Sequence, residues 1–379
     1  MKKIAILGAS LFQVPLINKA KELGYETHVF AWKANDVGEE LADVFHPVSI
    51  IEKEQILKEC LEIGVDAICS IGSDVATITI NYVGEKLGIN CNSVESSRIA
   101  TNKHLMRKAF EEHGVPSPRS ILVSDVSDLD DIELTFPMIV KPTDRSGSRG
   151  INKVYDRSEL KDAIEKAKEE SFEKMALVED FVEGQEYSIE CISYHGEHHL
   201  LAITKKYTTG APHFVERGHF EPAPEEHFTR EKIEKIVFSA LDALQIHDSA
   251  SHTELKVAED GTIKLIEVGA RMGGDFIGSH LVELSTGIDY VKAVIDVALD
   301  NPPDIDVKKQ HASAVVFIFD DEDMKKYKKV SDEHPEYISL AHVEDLIDQE
   351  VFDSTDRKGY FVVGGENQEY IYSLLDEKA

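Results

Sequence analysis

The sequence predicts an α/β protein that begins with a small parallel sheet. Two apolar runs, Lys3 to Leu7 and Glu26 to Ala31, are separated by a helical stretch. The turn Gly8-Ala9-Ser10 joins the first run to this helix, as in a βαβ unit. Because strand and helix continue to alternate to about residue 98, residues 1–98 are predicted to form the first domain.

Length and charge restrict the classes of protein that remain. The chain has 379 residues, enough for two or three domains. Its 41 basic and 71 acidic side chains give a net charge of −30, which repels nucleic acid and anionic membranes. No apolar run is long enough to span a bilayer, and the first residues lack the features of a signal peptide. We therefore expect a cytoplasmic enzyme that binds neither nucleic acid nor membrane.

The first βαβ unit lacks the pattern of a nicotinamide dinucleotide site. The G-x-G-x-x-G motif is absent, and no acidic residue closes the second strand. Gly72-Ser73-Asp74 follows the strand predicted at Ala67 to Ile71, at a strand end where open α/β sheets bind ligands. On such an acidic protein, a nucleotide site is expected to be a locally positive region.

Two lysines occupy positions where an ammonium group is unexpected. Lys103 falls in the first turn of a predicted helix, where the helix dipole opposes a cation. Lys141 ends the apolar strand Phe136 to Pro142. A bound phosphate explains both positions, and solvated or snorkelling lysines are the alternative. The glycine-rich loop Asp144 to Gly150 follows, and it could cradle phosphates or simply connect two strands.

Two glutamates are predicted to face each other in a hairpin. Asp260-Gly261 lies between two alternating segments within His252 to Arg271, which is a strong hairpin signal. With a loop of two or four residues, Glu254 lies opposite Glu267. Like charges opposed across strands destabilise a sheet, so we expect a divalent cation such as Mg²⁺, which substrate phosphates often help to bind. Two solvated glutamates on an exposed face are the alternative.

A further segment joins two predicted strands through a turn. An apolar strand ends in Glu179-Asp180-Phe181-Val182, the chain turns at Glu183-Gly184, and the next strand begins at Glu186. The order of the two lysines, the glycine-rich loop, this segment and the paired glutamates resembles the ATP-grasp superfamily. The resemblance runs from the first strand to about residue 300.

The resemblance implies an ATP-grasp fold with two α+β lobes that enclose ATP. Residues 1–98 would be the Rossmann-like amino-terminal domain, and residues 99–186 the small lobe with connecting helices. Residues 187–379 would be the large lobe, including a β-rich ancillary lobe from about residue 301. The resemblance also implies a homodimer.

The resemblance further implies a role for individual residues of these motifs. ATP contacts are implied for Lys103, Lys141, Ser146, Gly147, Ser148, Gly150, Glu179, Asp180, Phe181, Val182 and Glu186. The lysines would bind the phosphates and the loop would close over them, while main-chain groups of 179–182 would bind adenine and Glu186 the ribose. Glu254 and Glu267 would hold Mg²⁺ or Mn²⁺. Many superfamily members carry an asparagine where this chain has Gly269, which leaves the number of metal ions open.

Two segments resemble the L-amino-acid ligases, which join two amino acids into a dipeptide. These segments are Gly210 to Pro222 and Glu267 to Gly274. The resemblance implies that Glu216 and His219 lie near the substrate amino group and that Arg271 faces the acyl phosphate. A planar, permanently charged guanidinium suits that oxyanion, and a structural ion pair is the alternative.

Two further predictions concern residues on the substrate side of the site. For His219 the alternative is an ordinary loop histidine. Asp275 lies in a region where related ligases restrict the first amino acid, and an acid there is expected to favour a cationic or polar substrate.

The predicted function is an ADP-forming carboxylate–amine ligase that works through an acyl phosphate. Its partners would be ATP, a carboxylate such as an amino acid, and an amine. One alternative is a purine-pathway ATP-grasp enzyme that ligates glycine or carboxylates a ribonucleotide. Another is a non-catalytic module that binds a nucleotide.

Overall fold

Three β-sheets form the framework of the protein. The structure is a computed structural model, and it describes residues 1–145, 149–210, 215–344 and 354–375. Short 3-10 turns connect several elements, at Leu11–Gln13, Val126–Leu129, Arg157–Glu159, Pro335–Tyr337 and Ser354–Asp356. Within the described ranges, no helix combines the length and apolar character needed to cross a bilayer.

The first sheet is parallel throughout, with strand order β3-β2-β1-β4. Its strands are β1 (Lys3–Leu7), β2 (Glu26–Phe30), β3 (Val44–His46) and β4 (Ala67–Cys69). Its helices are α1 (Val14–Glu22), α2 (Val37–Leu41), α3 (Lys53–Ile63) and α4 (Asp74–Leu87). The predicted parallel sheet is thereby confirmed. The Ser73 hydroxyl caps α4 by accepting from the Ala76 N–H, which places Asp74 at the carboxyl edge of the sheet.

The second sheet is antiparallel, with strand order β5-β8-β6-β7. Its strands are β5 (Ser120–Val123), β6 (Met138–Pro142), β7 (Asn152–Val154) and β8 (Ala176–Asp180). Helices α5 (Val94–Thr101) and α6 (Lys103–His113) precede this sheet, and α7 (Leu160–Glu170) packs on it. Asn102 caps α6 by accepting from two N–H groups, so Lys103 begins the helix as predicted.

The third sheet is antiparallel, with strand order β13-β12-β9-β10-β11-β14-β16-β15. Its strands are β9 (Gln185–Tyr194), β10 (Glu197–Thr208), β11 (Glu216–Glu221), β12 (Ser249–Val257), β13 (Ile263–Gly269), β14 (Ala312–Ile318), β15 (Ile338–Val343) and β16 (Gly359–Gly365). Its helices are α8 (Arg230–Ala243), α9 (Val282–Thr286), α10 (Tyr290–Ala298), α11 (Asp321–Glu333) and α12 (Gln368–Ser373), with a π-helical turn at Ile277–Leu281. The strands after residue 301 belong to the same sheet as the strands of the predicted large lobe. The division of the chain at residues 98 and 186 stays a prediction.

The hairpin of β12 and β13 pairs Glu254 with Glu267 as predicted, but through a different loop length and a β-bulge. The Ala258 N–H donates to the Thr262 carbonyl at 2.9 Å, so the loop consists of residues 259–261 rather than two or four residues. Gly261 closes this loop at φ +77°, a conformation that suits glycine. The register then shifts by one residue between Glu254 and Leu255. This β-bulge restores the opposition of the two glutamates.

One apolar core joins the first sheet to the third. It contains Ile4, Ile6 and Leu16 from the amino-terminal domain, and Tyr290 and Ile295 from α10. Burial of these side chains fixes the first sheet against the third. The carboxyl edge of the first sheet therefore faces the interior of the molecule near the hairpin.

Candidate active site

A cavity of about 380 Å³ brings most of the predicted site residues together. The predicted residues that line it are Lys103, Lys141, Glu179, Asp180, Phe181, Val182, Glu186, Glu216, His219, Glu254, Glu267 and Arg271. Gly150 does not line the cavity. Ser146, Gly147 and Ser148 lie outside the described residues. One cavity therefore collects residues from five separate stretches of sequence.

Lys103 is buried at the start of α6 and is 5% exposed. Its Nζ lies 2.7 Å from Glu267 Oε1 and donates to the Arg145 carbonyl at 2.7 Å. Its main-chain N–H donates to the Thr143 carbonyl at 2.7 Å, which ties the helix to the chain after β6. The alternative of a solvated lysine is therefore wrong for Lys103.

Lys141 is also buried, at 3% exposure, and it points toward Glu179. Its Nζ lies 2.6 Å from Glu179 Oε2, and Arg107 Nε lies 2.8 Å from Glu179 Oε1. Burial alone raises the pKa of Glu179, but the two cations outweigh it and hold this pKa below its usual value. The Glu179 carboxylate thus holds Lys141 in the cavity wall, where the solvated and snorkelling alternatives do not apply.

The segment after β8 offers main-chain groups and an aromatic ring. The Asp180 N–H donates to the Arg119 carbonyl at 3.1 Å, and the Phe181 N–H donates to the Pro137 carbonyl at 3.4 Å. Lys153 Nζ lies 3.4 Å from the centroid of the Phe181 ring. Two N–H groups of this segment are therefore already used, and the predicted adenine contact would rest on the remaining main-chain groups.

Lys206 on β10 is a site residue that the sequence analysis missed. Its Nζ lies 2.6 Å from Glu254 Oε1, 2.8 Å from Glu186 Oε1 and 3.9 Å from Glu216 Oε1. Burial lowers the pKa of Lys206, but these carboxylates raise it well above its usual value. A usable signal was present, because Lys206 interrupts a largely buried strand as Lys141 does.

Glu254 is also approached by His252. His252 Nδ1 is hydrogen-bonded to the buried Glu190, and its Nε2 lies 3.5 Å from Glu254 Oε1. Burial raises the pKa of Glu254, but Lys206 and His252 outweigh it and hold this pKa well below its usual value. Glu254 is therefore a carboxylate at neutral pH, which is the form that a divalent metal requires.

The donor set fits a metal that arrives with a nucleotide. The described residues contain no group of three or more His, Cys, Asp or Glu side chains arranged around one ion. They offer Glu254 and Glu267, which are paired across the hairpin and line the cavity. Mg²⁺ is usually held by one or two carboxylates together with substrate phosphates. The metal site stays a prediction that this arrangement supports.

Arg271 is tied to the amino-terminal domain. Its Nε and Nη2 donate to the two carboxylate oxygens of Asp74, at 2.9 and 3.1 Å. The ion pair offered as the alternative for Arg271 therefore exists, and the catalytic role stays a prediction. A Cβ at position 269 would lie 2.7 Å from Asp74 Oδ1, so Gly269 leaves the space that Asp74 occupies.

His219 lies in strand β11 and lines the cavity, so the loop-histidine alternative is wrong. The side chain is 1% exposed, and burial lowers its pKa. Its Nε2 lies 3.7 Å from Asp275 Oδ2. Arg357 binds both oxygens of the Asp275 carboxylate, and the preference for a cationic or polar substrate stays a prediction.

Residues 134–279 match the model of the ATP-grasp domain. The protein has an ATP-grasp fold. An L-amino acid ligase from Bacillus licheniformis is similar, with a TM-score of 0.81, 23% identity and coverage of 99% of this chain and 97% of that chain. A phosphoribosylglycinamide synthetase from Anaerococcus prevotii has a TM-score of 0.77, 21% identity and the same two coverages. The predicted ATP-grasp fold is thereby confirmed.

A curated relative of this ATP-grasp protein covers part of the chain. The alanine–anticapsin ligase of Bacillus subtilis (strain 168) is 28% identical over 301 residues. The match covers 70% of this chain and 63% of that relative.

Four residues outside the ATP-grasp match contribute to the cavity. Asp74, Lys103 and Pro118 precede the match, and Arg357, which binds Asp275 in the cavity wall, follows it. Arg357 was missed because nothing in the local pattern of its segment marks a site residue. The cavity of this ATP-grasp protein is therefore completed by both ends of the chain.

Proposed function

We propose that this protein is an ATP-dependent, ADP-forming ligase that joins an amino acid carboxylate to an amine. The main observation in support of this proposal is that two buried lysines, two opposed glutamates and Arg271 line one cavity. These residues supply what a phosphoryl-transfer site requires, namely cations for phosphates and carboxylates for a metal. The similarity to an alanine–anticapsin ligase and an L-amino acid ligase supports amino acids as the substrates.

In this proposal the phosphates of ATP bind between Lys103 and Lys141. Both ammonium groups are buried and already directed by carboxylates, so little reorganisation is needed when an anion enters. Glu254 and Glu267 would hold Mg²⁺ or Mn²⁺, which neutralises phosphate charge when it is bound.

The proposed reaction has two steps. A carboxylate oxygen of the first substrate attacks the γ-phosphorus of ATP, ADP leaves, and an acyl phosphate forms. The amine then attacks the carbonyl carbon, inorganic phosphate leaves, and the amine loses a proton as the amide forms. Each amide bond therefore consumes one ATP, and the protein contributes mainly positioning and charge.

Arg271 is proposed to bind the acyl phosphate and the oxyanion. Its guanidinium has five N–H donors, of which three donate to Asp74 and the Met272 carbonyl. The other two donors can bind phosphoryl or carbonyl oxygens, and their planar geometry suits this role.

We also propose a cytoplasmic homodimer, on the basis of the superfamily resemblance. Light scattering on the purified chain tests the oligomeric state, and a monomer mass at micromolar concentration would contradict the dimer.

The proposed activity is tested by product analysis. ADP and phosphate release from ATP and Mg²⁺ are measured with pooled amino acids, and products are weighed by mass spectrometry. A new mass equal to two amino acids minus water supports the proposal. Turnover only with a ribonucleotide plus glycine or bicarbonate moves the protein to the purine-pathway alternative, and ATP binding without any turnover supports the non-catalytic module.

Glu267→Gln provides the matched control for this assay. The substitution removes a predicted metal ligand and the partner of Lys103 while it conserves size. We expect ADP formation to fall by at least about a hundredfold, because charge neutralisation at the phosphates is lost. A variant that keeps most of its turnover would remove Glu267 from the metal site.

A further inference from the structure

Two histidines on neighbouring strands of the first sheet form the centre of a hydrogen-bonded chain. Nδ1 of His28 on β2 lies 3.1 Å from Nε2 of His46 on β3. Nε2 of His28 lies 2.9 Å from Glu26 Oε1, and Nδ1 of His46 lies 2.8 Å from Glu59 Oε2. The chain of contacts therefore runs from Glu26 on β2, through both rings, to Glu59 on α3.

Both rings are held on the face of the sheet that packs against α3. The side chains of His28 and His46 are 6% and 16% exposed. The His46 ring stacks on Phe30, with centroids 4.3 Å apart and an interplanar angle of 12°. Gln55 of α3 donates to the other oxygen of Glu59 at 2.7 Å. The two ring nitrogens that face each other are therefore held in place and largely shielded from water.

The geometry determines how many protons the two rings carry. A carboxylate can only accept, so each ring donates its outer N–H to a glutamate. Two neutral rings have one N–H each, and both N–H groups are used in these outer bonds. The inner nitrogens would then face each other as two lone pairs without a proton between them, which is costly in a buried place. One added proton completes the third hydrogen bond, whereas a second would set two N–H groups head to head.

The charged groups on the elements packed against the pair are consistent with one added proton. Glu26 and Glu59 lie at the two ends of the chain. Lys3 on β1 pairs with Glu26 in register, and its Nζ donates to the Ile63 carbonyl at 3.0 Å. The other charged residues nearby make contacts elsewhere or are exposed, namely Asp43, Lys53, Glu54, Lys58, Glu62 and Asp66.

These neighbours act differently on the first and the second added proton. Burial has the largest effect and lowers the pKa of His28, Glu26 raises this pKa, and His46 and Lys3 lower it further. Two positive rings side by side are therefore disfavoured. A single positive charge shared by the rings lies between two carboxylates, which stabilise it.

We propose that His28 and His46 share one proton and form a pH-sensitive clamp that holds β3 and α3 on β2. Strand β3 has three residues and lies at the edge of the first sheet, where β2 is its partner among the described strands. The side-chain chain therefore adds to a short ladder of main-chain hydrogen bonds. His28, His46, Glu26 and Glu59 do not line the cavity, so the clamp is independent of the proposed ligase function.

The clamp stabilises the fold most near the pKa of an unfolded histidine, about 6.5. Above this pH, the folded pair binds more protons than two unfolded histidines, so its contribution falls as the pH rises, until the shared proton leaves. Below this pH, the two unfolded histidines bind more protons than the folded pair, so its contribution falls as the pH decreases. The dependence of stability on pH therefore has a maximum.

Nitrogen NMR of the imidazole rings in the natural protein measures the number of protons directly. At a pH of about 6.5 we expect both outer nitrogens to be protonated and the two inner nitrogens to share one proton. The inner signals should then lie between those of protonated and bare ring nitrogens. His28→Gln and His46→Gln assign the signals. Bare signals for both inner nitrogens would overturn the inference.

A variant without the two ionisable rings tests the effect on stability. We expect the Tm of the natural protein minus that of His28→Gln/His46→Gln to be largest near about pH 6.5 and smaller by about 2 °C at about pH 5 and about pH 8. His342→Gln is the matched control, because His342 lies 3.3 Å from Glu344 at an exposed position. Its Tm difference should have no maximum. A difference for the double variant that is constant, or that changes in one direction only, would contradict the clamp.

Glu59→Gln tests the clamp without removing a ring. The amide oxygen still accepts from His46, and the Gln55 amide turns so that its oxygen accepts from the new NH2 group. Loss of the carboxylate should lower the pH at which the inner proton leaves by roughly one unit. Nitrogen NMR across the pH range measures this midpoint, and an unchanged midpoint would separate Glu59 from the shared proton and overturn the inference.

A metal ion between the two inner nitrogens is distinguished by chelation. A shared proton needs no metal, so the NMR signals and the maximum in the Tm difference should persist in EDTA. Loss of both in EDTA, with their return when Zn²⁺ is added, would show that a metal ion links the rings and would overturn the shared proton.

Discussion

Lys206 illustrates how single residues compensate buried charge in this protein. The residue is 5% exposed, and carboxylate oxygens of Glu254 and Glu186 lie 2.6 and 2.8 Å from its Nζ. A buried cation without such partners would lose its proton or destabilise the fold. Glu254, a predicted metal ligand, and Glu186, the predicted ribose ligand, therefore also stabilise the buried ammonium group of Lys206 before any ligand binds.

Glu221 is a buried acid that lacks a basic partner among its described contacts. Its two oxygens accept from the Thr204 and Ser285 hydroxyls, at 2.7 and 3.0 Å. Burial raises the pKa of Glu221 to about 8. Because the folded pKa lies above the unfolded value, its contribution to stability is fully present below about pH 4.3 and is lost as the pH rises through about 8.

Replacement of this acid by its amide tests the sign. Glu221→Gln keeps the shape, and one of the two hydroxyls turns to accept from the amide NH2. The amide cannot ionise, so we expect the Tm of the variant relative to the natural protein to rise between pH 5 and pH 8 by a few degrees. The measurement is thermal unfolding across this range. Glu226→Gln, at an exposed position, is the control that should show no such trend. A pH-independent difference for Glu221→Gln would contradict the assigned shift.

At the scale of elements, the β12–β13 hairpin depends on a neighbouring helix. The bulge leaves Ile266 without a partner on β12, and the Ile266 carbonyl accepts from Arg107 Nη2 at 2.6 Å instead. Arg107 belongs to α6 and also binds Glu179. Helix α6 thus contacts the bulge that brings Glu254 opposite Glu267. It also contacts Glu179, whose carboxylate holds Lys141.

Of the two adjacent glycines after β13, only Gly273 lacks space for a side chain. A Cβ at Gly273 would lie 2.7 Å from Glu190 Oε1 and 2.8 Å from His252 Nδ1, whereas a Cβ at Gly274 would meet nothing within 4 Å. We expect Gly273→Ala to lower the free energy of unfolding by about 1–3 kcal/mol through overpacking. Gly274→Ala should be within about 0.5 kcal/mol of the natural protein. Urea unfolding measures both, and equal values would contradict the predicted clash.

For the whole molecule, the charge of the site differs from expectation. The net charge is −30, and a locally positive nucleotide site was predicted. The described lining instead contains seven basic and eight acidic side chains, so the prediction of a positive region is wrong. The physical reason is that the buried lysines and Arg271 each lie against a carboxylate, which burial requires before a ligand is present.

The contact between Asp74 and Arg271 makes the amino-terminal domain part of the proposed reaction. Asp74→Asn keeps the size of the side chain but removes the charge that orients the guanidinium. We expect kcat to fall on the order of tenfold or more, because small displacements of a charged group near the reacting atoms are costly. Ligation kinetics with saturating ATP measure this effect.

Lys19→Met is the control for domain contact alone. It breaks a 2.8 Å ion pair with Asp289 that also joins the amino-terminal domain to α10, away from the cavity. Its kcat should stay close to that of the natural protein. An equal loss of kcat in both variants would show that Asp74 acts through domain packing and does not orient Arg271.

The sequence by itself determined the parallel amino-terminal sheet, the hairpin that opposes Glu254 and Glu267, and the unusual positions of Lys103 and Lys141. These features depend on short-range periodicity, turn chemistry and capping, all of which are visible within a few neighbouring residues. Local patterns did not predict the bulge at Ile266, whose carbonyl accepts from Arg107, a residue distant in sequence.

Only the tertiary structure decided which charges meet. Lys206 with Glu254, Asp74 with Arg271, and Asp275 with Arg357 are separated by 48, 197 and 82 residues. The energy of each pair depends on burial and on distances of about 3 Å, which arise only when the sheets pack together. Local patterns carry no information about such contacts, so the charge balance of the cavity is a property of the folded chain.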